Sequence, residues 1–156
     1  MEPIKHIMIA TDGSDLSLKA AAFGGEMARA LGATVAVVMV LDERSVIPEV
    51  WGAVGLPGIE GLETISTEDA RRAIQENALS GGVAKTSSAV GALDSGVEEV
   101  VLWGHEADAL CDYARDHEVD MIVLGSHGRT GIKRAILGSV SFSVANRAPC
   151  AVTIVR

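Results

Sequence analysis

Five short apolar runs punctuate the chain, and the hydrophobic period changes between them. Ile4 to Ala10 (IKHIMIA), Ala33 to Leu41 (ATVAVVMVL), Val97 to Trp103 (VEEVVLW), Val119 to Leu124 and Ala151 to Val155 (AVTIV) read as strands. The second is almost wholly apolar, as a strand covered on both faces must be. Between the first two, Ser14 to Leu31 carries Ala20, Phe23, Met27, Ala28 and Leu31 at three- and four-residue spacing, which predicts one apolar helix face. Ser14 or Asp15 caps its start and Gly32 ends it. Thr67 to about Gly91 is weakly helical, with Ala70, Ala73, Ile74 and Ala78 as its apolar side and Gly81-Gly82 as a break or kink. His105 to His117 is a helix with a stripe of Ala107, Leu110, Cys111 and Ala114, and Ser139 to Arg147 is a short helix stopped before Pro149. Residues 43–66 carry Pro48, Gly52, Gly55, Pro57, Gly58 and Gly61, and read as a long surface loop with Trp51 as an anchor or contact residue.

Strands alternating with helices imply right-handed crossovers and a parallel sheet. Such sheets bind ligands beyond the carboxyl ends of their strands, where strand order reverses. The expectation is one domain over residues 1–156, an α/β fold with an open five-stranded parallel sheet and helices on both faces. With 48% apolar but only 3% aromatic residues, the core has to be aliphatic.

The formal charge of −8 repels nucleic-acid phosphates, and the basic stretch from Arg129 to Arg134 is too short to serve as a track for DNA or RNA. No leader segment is visible at Met1 to His6, and no apolar run is long enough for membrane insertion, so a cytoplasmic location is expected. Cys111 and Cys150 fit no metal or redox spacing and read as buried thiols.

The chemistry lies after the first and fourth strands. Gly125-Ser126-His127-Gly128-Arg129-Thr130-Gly131 follows strand four, and Gly138-Ser139-Val140-Ser141 opens the last helix. Glycines let backbone approach a ligand, and the free N–H groups at a helix start suit a phosphate. Ser139 and Ser141 add hydroxyls, and Arg129, Lys133 and Arg134 add cations. A surface loop with glycines for turns is the alternative. After strand one, Asp12 in Ala10-Thr11-Asp12-Gly13-Ser14 sits at the same sheet edge. A carboxylate beside phosphates is repulsive, so Asp12 faces ribose hydroxyls or an adenine amino group, holds Mg²⁺ through water, or simply caps the helix. His127 has no nucleophile and acid at a recognisable spacing, and His6, His105 and His117 are scattered.

The spacing Gly125-x2-Gly128-x9-Gly138-Ser139, with IMIATDGSDLS at the start and NRAPCAVTIVR at the end, resembles the ATP-binding branch of the universal stress proteins over nearly the whole chain. The resemblance implies a Rossmann-like, adenine nucleotide alpha hydrolase-like sheet of order 3-2-1-4-5. It implies that Ala10, Thr11 and Asp12 border the adenosine, with Asp12 near the ribose, and that Val40 lines the adenine pocket. Gly125 would abut the ribose, and Gly128 with Gly138, Ser139, Val140 and Ser141 would hold the phosphates of ATP, with Mg²⁺. It also implies a homodimer through the last strand. The loop with Trp51 and the Gly81-Gly82 break depart from the pattern, which leaves the pocket's outer wall and an unidentified protein partner open. The chain lacks GxxxxGK[ST] and GxGxxG. It also shows no catalytic set for phosphoryl transfer, so the expectation is a nucleotide-responsive regulatory protein and not an enzyme. Slow ATP hydrolysis or phosphotransfer, or binding of AMP or cyclic AMP, are the alternatives.

Overall fold

The computed structural model describes residues 3–42, 44, 67–128 and 137–156. The loop with Trp51, and Arg129, Lys133 and Arg134, lie outside the described residues. The elements run β1 (His6–Thr11), α1 (Asp15–Leu31), β2 (Thr34–Leu41), α2 (Thr67–Ala78), a π-helical turn (Leu79–Val83), α3 (Ala84–Val90), β3 (Val97–Trp103), α4 (Glu106–Asp116), β4 (Met121–Gly125), α5 (Ser139–Arg147) and β5 (Ala151–Val155). All pairings are parallel and the order is β3-β2-β1-β4-β5, as expected.

Alternation along the strands divides the core in two. Ile7, Ile9, Val35, Val37, Met39, Met121 and Val123 pack under α1, the π-turn and α3. Met8, Ala10, Ala36, Val38, Ile122 and Leu124 pack under α4 and α5. Ala107, Leu110, Cys111 and Ala114 of α4 are all buried, as their spacing predicted, and Tyr113 joins them. Among the described residues no helix is long and apolar enough to cross a membrane. Cys111 is buried but Cys150 only half so, and burial pushes the Cys150 thiol up to about 11.

The ends of β1 and β4 move by a residue or two from the apolar runs. Asp120 Oδ2 accepts the N–H groups of Lys5 (2.7 Å) and His6 (2.9 Å), which removes Lys5 from the ladder with β4 and lowers the Asp120 pKa. Val119 N–H donates to Ala114 O at 2.9 Å and so belongs to the end of α4. In α1, Ser14 and Gly32 cap as expected, Gly32 at φ 66°. Its buried face differs, because Phe23 and Leu31 are exposed while Ala21, Gly24 and Gly25 are buried. The helix lies so close to its neighbours that a Cβ on Gly24 would stand 2.7 Å from Ile9 Cδ1, and one on Gly25 would run into the Val90 carbonyl. The Gly81-Gly82 break is absorbed by the π-turn, where a Cβ on Gly82 would meet Met39 Cε at 2.5 Å.

Candidate functional site

β1 and β4 are neighbours whose following helices lie on opposite faces, α1 on one and α5 on the other. Their carboxyl ends therefore diverge and leave a crevice, the switch point of an open α/β sheet. Asp12 and Gly128 meet there. Asp12 Oδ1 accepts the Ser14 N–H at 3.0 Å, and a Cβ on Gly128 would stand 3.0 Å from Asp12 Oδ2. Oδ2 accepts no hydrogen bond among the described residues and remains available to a ligand.

The far wall is the start of α5. Gly138 is its N-cap residue; no side chain caps the helix and no acid stands in its first turn. The positive end of the helix dipole is thus left uncompensated by the described side chains, which suits an anion. Gly138 N–H donates to Ser126 O at 2.8 Å, so α5 begins against the end of β4. Its φ of −61° is open to any residue. The requirement for glycine is one of space, because a Cβ would lie 3.1 Å from Ser126 O and 3.5 Å from His127 Cα.

Strand alternation sorts the remaining residues. Ala10 and Val40 lie on the α4/α5 side with Val140 and Leu102, forming an apolar floor at the carboxyl edge. Leu102 was missed by the sequence reading, although its position two residues after Val100 in β3 puts it on that face. Thr11 is turned the other way, and its hydroxyl is taken up by Ser17 (3.0 Å), Thr86 (2.7 Å) and the Gly13 N–H (3.0 Å). Gly125 also has its side-chain side on the α1 face, where a Cβ would press Leu16 Cγ at 3.0 Å. Ser141 is buried and donates to Gly125 O at 2.7 Å, tethering α5 to β4, whereas Ser139 is exposed. Ser126, buried to 2%, holds Val155 O through its N–H (2.8 Å) and His127 Nδ1 through its hydroxyl (2.9 Å). Arg129 lies outside the described residues. At the mouth of β2, hydrogen bonds from Arg44 hold the Asp42 carboxyl at about 2, so it stays ionised.

The fold and this edge define an open, parallel α/β protein with a glycine-walled crevice at its switch point. The universal stress protein family model matches residues 3–156, and the chain belongs to that family. It is 33% identical to universal stress protein MJ0531 of Methanocaldococcus jannaschii over 97% of this chain and 82% of that one. It is 28% identical to YxiE of Bacillus subtilis over 96% and 97%. Among solved structures, MJ0577 superposes with a TM-score of 0.75 at 22% identity, covering 99% of this chain and 96% of its own. A universal stress protein in complex with cAMP gives 0.61 at 25% identity, over 99% and 98%. One from Archaeoglobus fulgidus in complex with dAMP gives 0.60 at 23%, over 99% and 100%.

Proposed function

We propose that the protein binds an adenine nucleotide, ATP with Mg²⁺, in the crevice between Asp12 and the start of α5, and acts as a nucleotide-responsive regulatory protein in the cytoplasm. The observation that carries this reading is the uncapped N-terminus of α5, held by Gly138 against Ser126 and facing the edge where Asp12 meets Gly128. Phosphates take the amide groups of Ser139 to Ser141, the ribose takes Asp12 Oδ2, and the base lies over Ala10 and Val40. Among the described residues no three His, Cys, Asp or Glu side chains gather to hold a metal. Mg²⁺ would come with the phosphates of ATP, and Asp12 is the carboxylate at this edge that could reach it through water. Complexes of family members with cAMP and dAMP support an adenine nucleoside phosphate as the ligand class. They also favour a second reading in which a monophosphate, AMP or cyclic AMP, is the ligand.

Binding without turnover is the proposed activity, with slow ATP hydrolysis or phosphotransfer as the alternative that a turnover assay detects. Mass spectrometry of nucleotide released from freshly purified, denatured protein, followed by calorimetry, tests the proposal. ATP should give the largest heat and thermal shift. Neither heat nor shift with millimolar ATP, ADP, AMP or cyclic AMP would refute it.

A further inference from the structure

Thr86 is wholly buried in α3, 75 residues along the chain from Thr11, yet their hydroxyl oxygens are 2.7 Å apart. Thr86 Oγ1 also stands 2.7 Å from Gly82 O, within reach to donate to it. Thr11 Oγ1 accepts the Gly13 N–H and lies 3.0 Å from Ser17 Oγ, which in turn reaches Ser14 O at 2.8 Å. Four of these contacts need a hydroxyl proton, and Thr11, Ser17 and Thr86 together supply three. One contact always lacks its proton, whichever way the hydroxyls turn. The network therefore has alternative proton arrangements that interconvert by hydroxyl rotation alone, and all of them share Thr11 Oγ1, the acceptor of the Gly13 N–H.

The backbones meet at the same place. Gly13 has φ 78°, and a Cβ on it would lie 3.5 Å from Gly82 Cα. Gly82 belongs to the π-turn, so that turn is packed directly against the residues carrying Asp12. Single π-turns inside helices recur at functional positions.

We propose that Thr86 is a positioning residue for the nucleotide edge. It fixes the Thr11–Gly13 turn to the π-turn and α3, so that occupancy beside Asp12 is transmitted to residues 79–90 on the opposite face of the sheet. The inference rests on the nucleotide reading above. Ligand contact with Asp12 Oδ2 stiffens the turn, which fixes the Gly13 N–H on Thr11 and selects one arrangement of the hydroxyls.

Hydrogen exchange on the full chain tests this, with wild type, Thr86→Val and Thr86→Ser compared with and without saturating ATP. Valine keeps the β-branched shape and loses only the hydroxyl. Without ligand, Thr86→Val should exchange faster at Gly13 and across 79–86. ATP should slow exchange over 79–90 in wild type and Thr86→Ser but not in Thr86→Val. The ATP dissociation constant should rise about fivefold in Thr86→Val and return in Thr86→Ser. A merely structural Thr86 would lower stability and leave the ATP-dependent slowing intact, which would overturn the inference, as would wild-type exchange at Gly13 in Thr86→Val. Failure of wild type to bind nucleotide in calorimetry overturns the functional reading. Binding with no slowing at 79–90 overturns this inference alone.

Discussion

Replacing Gly138 with valine tests whether the start of α5 is the phosphate wall. The backbone at 138 already sits at φ −61° and ψ 153°, so valine meets no conformational penalty there. Its Cβ would be 3.1 Å from Ser126 O, and the two γ-methyls have to displace α5 from the Ser126-His127 backbone. That displacement opens the 2.8 Å bond from Gly138 N–H to Ser126 O. Overpacking of this kind costs about 1–3 kcal/mol, a modest part of the roughly 5–15 kcal/mol that holds a domain folded. The fold should survive with a melting temperature lowered by about 2–12 °C. The moved amide groups no longer converge on the crevice, and a loss of about 1–3 kcal/mol in binding raises the dissociation constant roughly 5- to 150-fold. Gly138→Ala, with one methyl against the same carbonyl, should fall between wild type and valine. Calorimetric titration of ATP into each variant, with melting curves of the ligand-free proteins, provides the assay. Wild-type affinity in Gly138→Val would mean that phosphates do not rest on this helix, and the functional proposal would fall with it.

Asp12→Ala should weaken ATP binding by about 1–3 kcal/mol as a charged acceptor is lost. Asp12 Oδ1 also holds the Ser14 N–H, so Asp12→Asn is the control that keeps the turn. Equal losses for ATP and dATP would exclude the 2′-hydroxyl as the partner, and a loss seen only with Mg²⁺ present would assign Asp12 to the metal. A further expectation concerns assembly: β5 is an edge strand with Val152 and Ile154 only half-buried, so we expect a symmetric homodimer through Ala151 to Val155. Light scattering should give twice 16.2 kDa, and a single chain's mass at micromolar concentration would contradict it.

The sheet was legible because its strands are short apolar runs closed by turn residues, and β5 and α5 keep the bounds that Pro149 and the AVTIV run suggest. The buried face of α1 was legible only in part: Ala20 and Ala28 are buried as their spacing predicts. Spacing also chose the large Phe23, Met27 and Leu31, but the contact surface of α1 is set by how near β1, β4 and α3 approach, and the residues buried there are small: Ser17, Ala20, Ala21, Gly24, Gly25 and Ala28. Phe23 and Leu31 were left outside for the same reason. At the candidate site, the glycine pattern and Asp12 fall at one sheet edge, as their places after β4 and β1 imply. It did not say which way each residue points. Thr11 and Gly125 turn toward α1 because strand side chains alternate, a rule that sequence alone could have applied to them.

The two serines of the α5 start illustrate the consequence. Both belong to Gly138-Ser139-Val140-Ser141, and the resemblance assigns both to phosphate. Ser141 is buried and its hydroxyl already donates to Gly125 O at 2.7 Å, whereas Ser139 is exposed. Ser141→Ala therefore removes a bond of the ligand-free protein, worth about 1–1.5 kcal/mol, and should lower its melting temperature by about 2–6 °C. Any loss of ATP affinity follows from the loosened α5. Ser139→Ala removes no hydrogen bond among the described residues, so its melting temperature should stay within a degree or so of wild type while ATP affinity falls by about 0.5–1.5 kcal/mol. Melting curves without ligand, set beside ATP titrations, separate a positioning hydroxyl from a binding one. A Ser141→Ala variant with unchanged melting and weakened binding would place that hydroxyl on the nucleotide and break the tether to β4 as its explanation.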